Sequence, residues 1–277
     1  MDAIRILGVD FTSAPRKAKP ITVAFGTLRD ATLQVDRIEA FADFAGFDAL
    51  LARPGPWVGG FDLPFGLPRA LVDVLGWPGA RTRGRDAWAR LMRHLESMPR
   101  AEMVAAFRAW CDARPPGSKF AHRATDLRAG SSPSMKWVNP PVAYMLQAGA
   151  PRLLAAGLTV PGMHAGDPSR VALEAYPGLV ARSIVGRTSY KSDTREGRTP
   201  ARAQARAAIV EAIERGDALA IRVSMPASLR EACLDDPRAD LLDAVLCALQ
   251  AAAAARAPDG YGLPLDLDPV EGWIIGC

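Results

Sequence analysis

The chain has 277 residues, 49% hydrophobic and 23% charged, with a formal net charge of +4. This is the make-up of a globular protein with a full core, and it excludes disordered, collagenous and disulfide-stapled classes. No apolar run is long enough to span a bilayer, and the opening MDAIRILGVD is too short in its apolar part to read as a signal peptide, so a cytoplasmic protein with no membrane partner is expected.

In chain order, Ile4–Asp10 is a short apolar run that ends on an acid, the pattern of a central strand covered on both faces. Phe11 to Pro15 turns the chain. Ile21–Leu28 and Thr32–Phe41 read as two further strands joined by a tight turn, most simply an antiparallel meander. Asp43–Ala52 reads as a short helix ended by Pro54-Gly55-Pro56. Trp57–Asp62, WVGGFD, is a second strand that ends on an acid, and its two glycines allow another backbone or a ligand to come close. Pro68 then suits the first turn of a helix stopped by Gly76.

Residues 77–165 break this pattern and read as a mostly helical insertion in one 1–277 domain. Helical spacing runs over Asp86–Trp110, divided at Pro99, and again over Val142–Gly157. Arg114–Pro141 between them is loop-like, rich in Pro, Ser, Gly and basic residues. Val171–Tyr176 is a third strand with an acid near its end, Glu174. A short helix to Gly186, a polar basic loop over 187–198 and a helix started by Thr199-Pro200 and stopped at Gly216 follow. The last helix is expected to start at Asp236-Pro237 and run to about Ala257. Asp240 and Asp243 share one of its faces, and Asp243 lies in an otherwise apolar stretch. Gly272–Ile275 reads as a short final strand.

Charge is uneven. Residues 81–128 carry net +6 and 182–206 net +5, which leaves −7 on the rest. Such segments suit an anionic ligand, with phosphate the obvious one, or are solvated Arg-rich helix faces. The four cysteines have no CxxC spacing and the three histidines no HExxH spacing, so a zinc site is not suggested. Acids brought to one rim repel each other unless a cation lies between them, and hard divalent ions take oxygen ligands. One strand-end Asp alone reads as a turn residue; Asp10, Asp62 and the Asp240/Asp243 pair together read as a carboxylate cluster.

The strand ending GVD, the meander, and the next acid-ended strand follow the order of the ribonuclease H-like α/β fold, a mixed central sheet flanked by helices. DLLDA resembles the closing acids of RuvC-type resolvases. GVDFTSAP, GGFDLPFGLP, LEAYPGL, YKSDTREGR and DLLDAVLCAL together resemble the DUF429 family, described as predicted nucleases of that fold. The resemblance implies Asp10 as a bridging metal ligand, Asp62 as the second, and Asp240 and Asp243 as last ligands or general base, with Mg²⁺ or Mn²⁺ as cofactor. Glu174 matches a family position among the catalytic acids. Lys191, Arg195, Arg198 and Arg123 are candidate phosphate contacts on a nucleic acid or nucleotide substrate. Tyr176, Trp137 and Phe120 could stack on bases or simply pack. The other readings are a non-catalytic nucleic-acid- or nucleotide-binding protein of the same fold and an ATP-dependent kinase-like enzyme of the related actin-like fold. Phe11 stands where a kinase phosphate loop would use glycine.

Overall fold

The computed structural model of the chain describes residues 3–81, 84 and 86–277. Arg83 and Arg85 of the first basic segment lie outside the described residues. The meander forms as expected: β1 (Ile4–Asp10), β2 (Ile21–Arg29) and β3 (Thr32–Phe41) pair antiparallel in sequence order. α1 (Phe44–Leu51) follows, with the Asp43 carboxylate accepting the Gly46 N–H at 2.8 Å. β4 (Trp57–Asp62) pairs parallel with β1. α2 (Arg69–Leu75) stops at Gly76 in the left-handed conformation, and Pro68 stands just outside its first turn.

The insertion contributes α3 (Ala87–Ser97) and α4 (Arg100–Asp112), split at Pro99 as expected, then α5 (Ala124–Ala129) and α6 (Val142–Ala155). α5 corrects the loop reading of residues 114–141. β5 (Leu158–Thr159), β6 (Asp167–Glu174) and α7 (Pro177–Val185) come next. α8 (Pro200–Arg215) has Thr199 as its N-cap. β7 (Arg222–Ser224) is too short to read from sequence, and α9 (Ala227–Asp235), which buries only Cys233, has no apolar stripe to read. α10 (Asp240–Arg256) starts later than Asp236-Pro237, because Ala239 takes a left-handed φ of 60°. Asp236 nevertheless caps α10 by accepting the Leu241 N–H at 3.2 Å. Gly272–Ile275 forms no strand; Ile274 makes a single parallel bridge to Glu174.

The sheet runs β5-β6-β4-β1-β2-β3-β7, and β2 alone is antiparallel to its neighbours. Alternation along the strands gives two cores. Leu7, Val9, Phe11, Phe61 and Ala172 face a core shared with α1 to α4 and α6. Ile6, Val58, Val171 and Leu173 face a second core shared with α7 to α10. No helix of the described residues is long and apolar enough to cross a membrane.

Gly8 and Gly60 are register partners on the second face. They let the α10 backbone lie directly on the sheet. A Cβ at Gly8 would sit 2.1 Å from the Ala244 carbonyl oxygen and 2.2 Å from the Ala248 nitrogen, and one at Gly60 would sit 2.4 Å from the Cys247 oxygen. The obstacles are helix backbone, which cannot swing aside. Gly8→Ala is therefore expected to cost about 3 kcal/mol, the upper end of ordinary overpacking. Urea denaturation measures this, and a wild-type midpoint would contradict the close contact.

Candidate functional site

The seating of α10 on Gly8 and Gly60 also sets the site. Two residues further along each strand, on the same face, are Asp10 and Asp62, themselves register partners at the carboxyl ends of β1 and β4. The first turn of α10 then brings Asp240 and Asp243 to this rim. Asp243 is 1% exposed. Its Oδ1 accepts the Tyr190 hydroxyl at 2.6 Å and its Oδ2 accepts a bond from Lys191 Nζ. Tyr190 is held in turn by Arg206, which donates to the Tyr190 carbonyl at 2.9 Å and the Leu234 carbonyl at 3.1 Å.

Asp10 and Asp62 accept no hydrogen bond from a described residue. Burial pushes the Asp10 carboxyl well above the usual carboxylate range, the charges of Asp243 and Asp62 push it further, and Lys191 opposes them. Burial likewise pushes Asp62 up to about 7, with Lys191 opposing and Asp243 adding. Burial alone would lower the Lys191 ammonium, but the charges of Asp243, Asp62 and Asp10 outweigh it and raise it. Asp240 Oδ2 is buried and accepts no well-formed hydrogen bond, although Arg238 Nε lies 3.2 Å away. Burial raises Asp240 too, and Arg238 opposes the rise.

A cleft of about 620 Å³ opens over these groups. Its cations are Lys19, Arg123, Lys191 and Arg238, and its far wall includes Asn139, Pro140, Val142 and Met145 of the helical insertion. The insertion thus walls the site. Phe11 is 4% exposed, and its ring packs 5.6 Å from that of Phe47.

Two expected site residues, Glu174 and Arg123, line the same cleft but are bound to each other. β6 pairs with β4 so that Glu174 is the register partner of Phe61, not of Asp62. Glu174 therefore faces the opposite side of the sheet from Asp10 and Asp62, where Arg123 binds both of its oxygens at 2.6 and 2.8 Å and the Phe65 N–H donates at 3.0 Å. Arg123 is 1% exposed, and its five N–H groups go to Glu174, Asp126 and the Glu271 carbonyl. It has no donor left for a phosphate. Arg195 and Arg198 are exposed on the 187–198 loop and do not line the cleft. Tyr176 lines it, whereas Trp137 and Phe120 pack on each other 5.6 Å apart, away from it.

Sequence reasoning missed Lys19, Tyr190 and Arg238. Arg238 had one local signal, its place between Asp236 and Asp240 at a helix start. As the side chains stand, no group of three or more His, Cys, Asp or Glu among the described residues converges on a metal-sized position. The donor chemistry still suits a hard divalent ion: a set of carboxylates, two of which accept no hydrogen bond, and no histidine in the cleft lining.

A family model described as "Protein of unknown function (DUF429)" matches residues 8–263. Neither the curated proteins nor the solved structures contain a match to the chain.

Proposed function

The chain belongs to the DUF429 family, whose description assigns no activity, and we propose for it, from its own residues, a Mg²⁺- or Mn²⁺-dependent nuclease of ribonuclease H-like fold. One observation carries the reading. Asp10 and Asp62, adjacent in register and half-buried, accept no hydrogen bond while Asp240 and Asp243 stand beside them. A buried charged group without a partner is costly, and two side by side repel. The order β3-β2-β1-β4-β6 with β2 alone reversed supports the fold assignment. So does the acid at the carboxyl end of β1.

Asp10 and Asp62 would hold the metal, with Asp240 and Asp243 completing the donor set. The metal supplies charge neutralisation and polarises a phosphoryl oxygen. Tyr190 orients Asp243, and the cations of the cleft face the phosphate. A cleft of about 620 Å³ is of the size that encloses small ligands, which suits one strand or a strand end better than the broad face of a duplex.

The direct test is cleavage of single-stranded, duplex and junction substrates by the Mn²⁺- or Mg²⁺-loaded protein. Loss of all cleavage, with nucleic acid still bound independently of metal, would favour the non-catalytic binding reading. A thermodynamic test needs no substrate. Asp62 titrates near 7 in the folded protein against 3.8 for the free side chain, and Asp10 is raised in the same sense. The folded state then holds protons that the unfolded state has released, so stability is full below about pH 4 and falls as pH rises through about 7. The Tm of the metal-free protein is expected to drop between pH 5 and pH 8, and Mn²⁺ to restore it at pH 8. Calorimetry with and without chelator reads both; a flat profile, or a Mn²⁺-indifferent Tm, counts against the cluster.

A further inference from the structure

Four cations line the cleft; Arg123 is committed to Glu174 and Asp126, and each of the other three is held by an acid beside it. Lys191 Nζ bonds Asp243, Arg238 Nε lies 3.2 Å from Asp240 Oδ2, and Lys19 Nζ lies 3.6 Å from Asp193 Oδ1. They arrive from three separate places: the β1–β2 loop, the loop before α8 and the turn before α10. These segments are tied together. Arg238 donates to the Ala18 carbonyl, and the Ser192 N–H donates to the Pro237 carbonyl at 2.9 Å. The Lys19–Asp193 pair is exposed and adds little to stability. The acids of the three pairs include both α10 carboxylates of the candidate metal site, so cation and acid here serve two different ligands that meet in one cleft.

We propose that Lys191, Arg238 and Lys19 form a phosphate subsite that the protein's own carboxylates close in the metal-free state. Asp240 and Asp243, once engaged by a divalent cation, no longer hold Arg238 and Lys191 as strongly. The freed ammonium and guanidinium then turn to the anion, the guanidinium as a two-pronged donor. This inference rests on the metal reading above. Metal and phosphate affinity are then coupled, and linkage makes the coupling reciprocal. Without phosphate, the same two cations compete with the metal for the carboxylates.

Titration calorimetry with Mg²⁺ alone, inorganic phosphate alone, and each in the presence of the other tests this on the wild type, Arg238→Ala and Lys191→Met. The wild type should bind phosphate about tenfold tighter with Mg²⁺ present, and Mg²⁺ tighter by the same factor with phosphate present. Both variants should bind Mg²⁺ alone more tightly than the wild type, by about threefold or more, because a competing charge is gone. Both should bind phosphate more weakly in the presence of Mg²⁺. Opposite signs in one variant are the signature. Arg238 is 33% exposed, so its replacement keeps the comparison available if Lys191→Met fails to fold. Mg²⁺ affinity unchanged or weakened in Arg238→Ala, or coupling that survives undiminished in it, overturns the proposal and leaves the metal reading standing. No Mg²⁺ binding by the wild type overturns both.

Discussion

Asp10→Asn is expected to make the metal-free protein more stable at pH 8 while abolishing Mn²⁺ binding and cleavage. The two effects have one cause. Asp10 lies beside Asp62 across the β1–β4 pair, and neither accepts a hydrogen bond. Removing one charge relieves the repulsion on Asp62 and Asp243 and leaves a neutral amide that is cheaper to bury. A gain of about 1–2 kcal/mol is expected, equivalent to roughly one unit of relief in the neighbouring carboxyl pKa. The same change removes a central metal donor, and cleavage should fall by about 100-fold or more. A turn residue at the end of β1 would behave otherwise, since its loss would lower stability in all conditions. Chemical denaturation with chelator, set beside a Mn²⁺ titration of the same variant, separates the two. A destabilised variant that still binds Mn²⁺ would restore the reading of Asp10 as a turn residue.

Arg123→Met is expected to cost about 3–5 kcal/mol, because it strands Glu174 and Asp126 as unpaired buried charges. The guanidinium is the hub of a network that joins the start of α5, the end of β6, the Phe65 N–H through Glu174, and the C-terminal segment through Glu271. Adding Glu174→Gln to Arg123→Met should recover part of the loss, since an amide needs no cation. Glu174 lines the same cleft, but it leaves the opposite face of the sheet and Arg123 occupies both of its oxygens, so Glu174→Gln alone should leave Mn²⁺ affinity near the wild-type value. A metal affinity that falls with Glu174→Gln as steeply as with Asp10→Asn would return Glu174 to the metal set.

The strands that carry Asp10 and Asp62 were legible because their signal is local. An apolar run that ends on an acid can be read without its neighbours. The glycines of WVGGFD were legible as a close approach, but not what approaches; it is the backbone of α10 at Cys247. α5, β7 and α9 were missed for the complementary reason. α5 and β7 span 6 and 3 residues, too few for periodicity to stand out from loop composition, and α9 buries only Cys233, so it has no apolar stripe to read. β7 becomes a strand only by pairing with β3.

By itself, the sequence determined the meander, the two later strands that end on acids, and the helix that brings two more acids. Period-two and helical patterns need only residues a few positions apart. The tertiary structure alone decided which of those acids meet. Strand register is a relation between distant segments, and a shift of one residue turns a side chain to the opposite face. Asp62 is registered with Asp10 and shares its face. Glu174 is registered with Phe61 and does not, so an acid that ends its strand as Asp10 does becomes a buried partner of Arg123. The cations followed the same rule. Lys19, Lys191 and Arg238 reach one cleft from far-separated parts of the chain, while Arg195 and Arg198, close to Lys191 in sequence, stay outside it.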